Sequence, residues 1–140
     1  MTLSQEQLDL VEAAKGAREN AHAAYSKFLV GAAIRLRDGR VFVGANVEIC
    51  VFPLGVCAER NAVAAAVVAG AKYGDFERVV VVGHAVELTP PCGACRQVLA
   101  EFADASLEIV TYNLSNGEYA EYSLGDLLPN AFTGANLIQP

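Results

Sequence analysis

Arg78-Val79-Val80-Val81-Val82-Gly83 decides the fold. Four valines in a row leave no polar face, so the strand they form is buried on both sides. Such a strand belongs in the middle of a sheet with helices over both faces. Upstream of it, residues 58–69 read as a helix whose alanine-rich face, Ala62 to Ala66, suits close packing on a sheet. Downstream, Pro90-Pro91 opens a helix over 93–102, and a strand follows at 107–112.

Further out, residues 5–22 read as a helix. Ser4 and Gln7 are spaced for a capping box, and Leu3 and Leu8 sit where a hydrophobic staple would sit. Leu8, Val11, Ala14 and Ala17 supply an apolar face. Strands at 29–36 and 40–47 are joined by Asp38-Gly39, a hairpin turn signal. Asn116-Gly117 marks another turn before a strand at 118–122, and Ser123 can cap a short helix ending before Pro129. The order α-β-β-α-β-α-β-β-α predicts an α/β fold with a mixed five-stranded sheet. Periodicity does not fix the strand order. No repeat or linker interrupts residues 1–140, so one domain is expected.

Composition bounds the function. The chain is 54% apolar and 19% charged, enough to bury a core and against disorder. No apolar run approaches the roughly 18 residues of a membrane span. Ten Lys and Arg against sixteen Asp and Glu give a net charge of −6. The basic residues are scattered, as at Arg35 and Arg37, so a polynucleotide partner is not expected; a small, weakly charged ligand is. The start, Met1 to Glu6, lacks a basic region followed by an apolar stretch, which predicts a cytoplasmic protein. In that setting Cys50, Cys57, Cys92 and Cys95 point to metal binding or catalysis rather than disulfides.

Two segments carry the chemistry: Cys57-Ala58-Glu59 and Pro91-Cys92-Gly93-Ala94-Cys95, each at the expected start of a helix. Cys92 and Cys95, three apart, share one helical face. Cys57 can add a third sulfur from the other helix. Helix N-termini stabilise thiolates, the form that binds zinc. Three protein ligands leave one tetrahedral position open, as in a catalytic site. Water there would fall from a pKa of ~15.7 towards ~7. Glu59 is the candidate proton shuttle. It converges with Cys57 only if Cys57 lies at the helix cap, since successive helical residues diverge by about 100°. Three thiolates with one zinc sum to a negative charge, and Arg60 donating to the sulfurs would draw that charge off.

These segments resemble the zinc deaminase signature, in which the glutamate acts as general acid and base and is not a ligand. The resemblance extends along nearly the whole chain: Ala24 to Ala33, Asp38-Gly39-Arg40, Asn46-Val47-Glu48, Pro53 to Arg60, Pro91 to Leu99 and Leu127 to Phe132. It is similar to the small homotetrameric zinc-dependent cytidine deaminases. That implies a three-layer α/β/α sandwich and one zinc per subunit on Cys57, Cys92 and Cys95, with Glu59 catalytic. It implies a nucleoside pocket lined by Phe28, Asn46 and Glu48, the latter two on the ribose hydroxyls. Backbone around Ala58 would contact the base, and Phe132 would stack on it, in a neighbouring subunit's site. The implied reaction is hydrolysis of cytidine or deoxycytidine to uridine or deoxyuridine and ammonia by a zinc-bound hydroxide, in pyrimidine salvage.

The pattern departs at Ile49-Cys50-Val51-Phe52, where the family has another Asn, small residues and Tyr, and at Ala24, where it has proline. These changes bear on substrate range and subunit contacts. An alternative is therefore a deaminase of a modified cytosine nucleoside or of an antibiotic such as blasticidin S. Blander readings exist: a redox pair at Cys92 and Cys95, a closed structural zinc completed by Cys50, a zinc module without turnover, or a polynucleotide editor, which the acidic balance opposes. His22 and His84 are expected to be structural.

Overall fold

The computed structural model describes residues 2–138. Its first helix, α1, spans Gln5–Arg18 and starts on the Ser4–Gln7 capping box. It stops short of residue 22: Asn20 and Ala21 donate back to Ala17 and Arg18 in tight turns, and His22 leaves to pair beside Val47. Tertiary pairing of His22 wins over helix propagation. The buried face is also rotated from the expected one, with Gln7, Leu10, Val11 and Ala14 inward and Leu8 39% exposed. Gln7 occupies an inward position because its amide donates to Glu108 Oε1 (2.7 Å) and Glu121 Oε1 (2.5 Å). A buried amide satisfied in this way costs little.

Five strands follow: β1 (Gly31–Leu36), β2 (Val41–Ala45), β3 (Phe76–Gly83), β4 (Glu108–Asn113) and β5 (Tyr119–Ser123). They form one sheet in the order β2-β1-β3-β4-β5, so the valine strand is central. β1 pairs antiparallel with both β2 and β3, β3 pairs parallel with β4, and β4 antiparallel with β5. The sheet is mixed, as expected. Gly39, at φ 95°, makes the β1–β2 turn that Asp38-Gly39 signals.

α2 (Ala58–Val68) leads into β3, and α3 (Gly93–Phe102) is the crossover between parallel β3 and β4. A short α4 (Leu124–Leu127) follows β5, capped by Ser123. Along the valine run, Val80 and Val82 join Ala33 and Val110 against Leu10, Val11 and Ala14 of α1. Val79 and Val81 join Ile34 and Ile109 against Ala62, Val63, Ala66 and Leu99 of α2 and α3. Alternate valines thus feed opposite cores, and the result is the three-layer α/β/α sandwich.

Two helix–sheet approaches are close enough to need glycine. A Cβ on Gly31 would lie 1.9 Å from the Ala14 carbonyl oxygen of α1. One on Gly44 would lie 2.3 Å from the Ala58 carbonyl oxygen and 2.5 Å from the Ala62 nitrogen of α2. The second contact seats the start of α2, where the chemistry sits.

Candidate metal centre and substrate cleft

Cys57 is the N-cap of α2 and Cys92 the N-cap of α3, both with extended backbone (φ −69°, ψ 157° and φ −66°, ψ 166°). Neither makes a side-chain capping bond, so each helix aims its unsatisfied first-turn N–H groups and positive end at the sulfurs. Cys95 lies in the first turn of α3 and is buried. The Sγ atoms are 3.9 Å apart between Cys57 and Cys92 and 3.5 Å apart between Cys92 and Cys95, and all three lie within 4.8 Å of one another. Zinc–sulfur bonds of ~2.3 Å in a tetrahedron require sulfurs about 3.8 Å apart. The spacing of the three sulfurs suits a zinc ion. Cys50 is exposed and does not belong to the cluster, so no fourth cysteine closes the site.

Glu59 is 5% exposed, and its carboxyl lies close enough to Cys57 and Cys95 for both to act on its ionisation. Cys57 at the cap and Glu59 inside the first turn therefore converge on one point. Burial raises the Glu59 pKa above the ordinary carboxylate value, and the Cys57 thiolate adds to the rise. Cys57 is lowered to about 5, first by the bond it receives from Cys95, then by Arg60, against the opposing effect of burial. Cys95 is pushed up, because it holds the shared proton towards Cys57 and is itself buried. Cys57 and Cys95 therefore do not both ionise in the metal-free protein, and a cation among the sulfurs would release the proton held on Cys95.

The Arg60 guanidinium donates to Cys57 Sγ at 3.3 Å, and the thiolate raises the Arg60 pKa in return. Arg60 Nε is buried without a hydrogen-bond partner. The half-buried side chain is directed at the Cys57 sulfur.

A second group of expected residues comes together at the Tyr25–Val30 loop. The Asn46 amide accepts from Val30 N–H (2.9 Å) and donates to the Phe28 carbonyl (2.8 Å). Glu48 Oε1 accepts from the N–H groups of Tyr25 and Ser26, both at 3.0 Å. Bonds from the Ser26 hydroxyl and N–H hold the Glu48 pKa below the ordinary value. Lys27 between them has φ 61°, a left-handed conformation that costs a non-glycine residue about 1–2 kcal/mol. The Asn46 and Glu48 bonds on either side over-determine the loop and hold that strain. Sequence reasoning missed this loop-holding role, which only the folded loop reveals. It also missed Thr89: a Cβ on Gly83 would lie 2.9 Å from Thr89 Oγ1 and 3.5 Å from Phe28 Cζ, so both side chains close over that glycine.

Beside Glu48 lies a cleft of about 390 Å³ lined by Tyr25, Ser26, Glu48, Ile49, Phe52 and Gly55. The Tyr25 and Phe52 rings meet edge-on at 5.6 Å. A larger hollow of about 690 Å³, against α3 and the C-terminal segment, contains none of the cysteines, and we assign the chemistry to the sulfurs instead. Ala58 is fully buried under β2. Phe132 is 59% exposed, its ring left largely to solvent and its carbonyl held by Gln97.

Residues 4–111 match the family model described as the cytidine and deoxycytidylate deaminase zinc-binding region. The chain is 41% identical over 128 residues to a cytidine deaminase of Halalkalibacterium halodurans, covering 91% of this chain and 95% of that one. A blasticidin-S deaminase of Bacillus cereus is 30% identical over 141 residues, covering 94% and 95%. Among solved structures, a cytidine deaminase from Burkholderia pseudomallei superposes with a TM-score of 0.87 at 47% identity, over 93% of this chain and all of that one.

Proposed function

The chain belongs to the family of zinc-binding cytidine and deoxycytidylate deaminases, and from that premise we infer that it deaminates cytidine and deoxycytidine to uridine or deoxyuridine and ammonia. The observation that carries this is the meeting of three zinc-spaced sulfurs with a buried carboxyl. Zinc held by Cys57, Cys92 and Cys95 would supply hydroxide at neutral pH. Glu59 is the residue that moves protons: it takes one from the nucleophilic water, delivers it to N3 of the pyrimidine, and passes one to the departing amine. Its burial keeps bulk water from competing. Arg60, bonded to Cys57, offsets the charge of three thiolates.

Asn46 and Glu48 hold the Phe28 loop and keep hydrogen-bonding capacity for the ribose hydroxyls: one N–H and one lone pair on Asn46, the second oxygen on Glu48. Phe28 walls the pocket, backbone at Ala58 borders the base, and Phe132 stacks on the base of a neighbouring subunit. A homotetramer with such shared sites is supported by the family resemblance and by the exposure of Phe52, Leu54, Phe132, Leu137 and Ile138. One catalytic domain over residues 1–140 and a role in pyrimidine salvage in the cytoplasm complete the reading. Among the described residues no helix is long and apolar enough to cross a membrane.

The 30% identity to a blasticidin-S deaminase keeps one competing substrate in view, but it is outweighed by the 41% and 47% matches to cytidine deaminases. Ammonia release from cytidine, deoxycytidine, cytosine, blasticidin S and an oligodeoxynucleotide tests the choice. Fast release from the two nucleosides and none from the oligonucleotide is expected. Release confined to blasticidin S would mean that Ile49 and Phe52 have re-specified the cleft.

A further inference from the structure

Two neighbouring side chains of α3 stand outside the roles given so far. Arg96 directs Nε to the Pro91 carbonyl (2.7 Å) and its terminal nitrogen to the Leu127 carbonyl (2.8 Å). Gln97 directs Nε2 to the Phe132 carbonyl (2.7 Å). The Pro91 carbonyl belongs to the peptide that enters Cys92, so fixing it fixes the extended N-cap from which that sulfur projects. The Leu127 carbonyl is at the end of α4, one of the unpaired acceptors a helix leaves there. A planar guanidinium ties two such carbonyls at a set separation, which a flexible ammonium does not. Leu127 and Phe132 bound the segment that leaves α4 for the C-terminus. Consecutive residues of one helix therefore grip that segment at both ends, while the same helix carries Cys92 and Cys95.

We propose that Arg96 and Gln97 are positioning residues that make α3 a single frame for two metal-holding sulfurs and for the segment presenting Phe132. The Gln97 half rests on the proposed stacking of Phe132 on the base; the Arg96 half rests on the zinc site alone. The two residues divide the work. Arg96 sets the approach to Cys92 and one end of the segment, and Gln97 sets the other end next to the aromatic ring.

The test measures KM and kcat for cytidine together with the rate at which zinc is lost to a chelator. Gln97→Leu should raise KM about 3- to 10-fold, the worth of one exposed hydrogen bond, with kcat and zinc loss near wild type. On a Phe132→Ala background the same change should add almost nothing. Arg96→Met should speed zinc loss by about 10-fold or more, and Arg96→Lys, which keeps the charge without the fork, should fall between. Should Arg96→Met not fold, Arg96→Lys carries that arm. Zinc held as tightly as wild type in the folded Arg96 variants overturns the metal half. A Gln97→Leu cost that is equal with and without Phe132 overturns the other half while leaving Phe132 at the base. An unchanged KM in Phe132→Ala removes Phe132 from the base and overturns the Gln97 half with it.

Discussion

For Cys57 to hold a metal beside a carboxyl two residues away, it must stand where α2 has not yet begun, and it does. Its thiolate is stabilised to about 5 by Cys95 and Arg60, which gives a handle on the metal-free protein. At pH 6 an ordinary thiol, near ~8.5, is almost wholly protonated, while Cys57 is largely thiolate. Iodoacetamide at that pH should label Cys57 of zinc-stripped protein well before added glutathione, as peptide mass mapping would show. Restoring zinc should protect Cys57, Cys92 and Cys95 and leave Cys50 open. Labelling of Cys57 no faster than that of glutathione would contradict the cluster. Arg60→Ala removes the 3.3 Å bond to Cys57 Sγ. It should weaken zinc retention roughly 10- to 100-fold or shift the pH optimum upward, both readable from chelator competition and a pH–rate profile. At this scale the pairing of Cys92 with Cys95 and the cap position of Cys57 were legible, because both are local; that Cys57 joins them from another helix came from the resemblance of the motifs. The bonds of Asn46 and Glu48 to the Phe28 loop were not, because they depend on how a distant loop returns.

Elements place these residues through two close approaches on opposite faces of the sheet. Gly44 lets α2 lie on β2, and Gly31 lets α1 lie on β1. In each case the atom a Cβ would strike is backbone, so the helix itself must move. Gly44→Ala and Gly31→Ala should each destabilise the fold by about 1–3 kcal/mol in urea unfolding. They should differ at the site. Gly44→Ala shifts Ala58 and with it Cys57 and Glu59, so zinc affinity and kcat should fall; Gly31→Ala should leave both near wild type in the folded protein. Equal effects on zinc binding would show that α2 is not the element that sets the site. The valine run and the helix over 93–102 were read correctly from sequence, since their signals are internal to the segment. The C-terminal limit of α1 and its buried face were misread. His22 is drawn to Val47 and Gln7 to Glu108 and Glu121, all remote in sequence.

Across the whole molecule, the parallel β3–β4 pair and its α3 crossover put the N-terminus of α3 over one end of the sheet, where α2 also begins. Antiparallel β1 and β2 then return residues 46–48 to the loop that carries Phe28. Strand order could not be read from periodicity, because the valine run fixes a central strand without naming its neighbours. An open zinc site with a neighbouring proton shuttle was legible from a few residue types at fixed spacing, and deamination from the resemblance of those motifs to the zinc deaminases. Glu59→Gln in zinc-loaded protein, assayed for cytidine turnover and metal content together, tests the central claim most directly. The change keeps the shape and removes the proton shuttle. The account predicts that zinc stays bound while kcat falls by about 10²–10⁴-fold; near-normal turnover with zinc in place would contradict it.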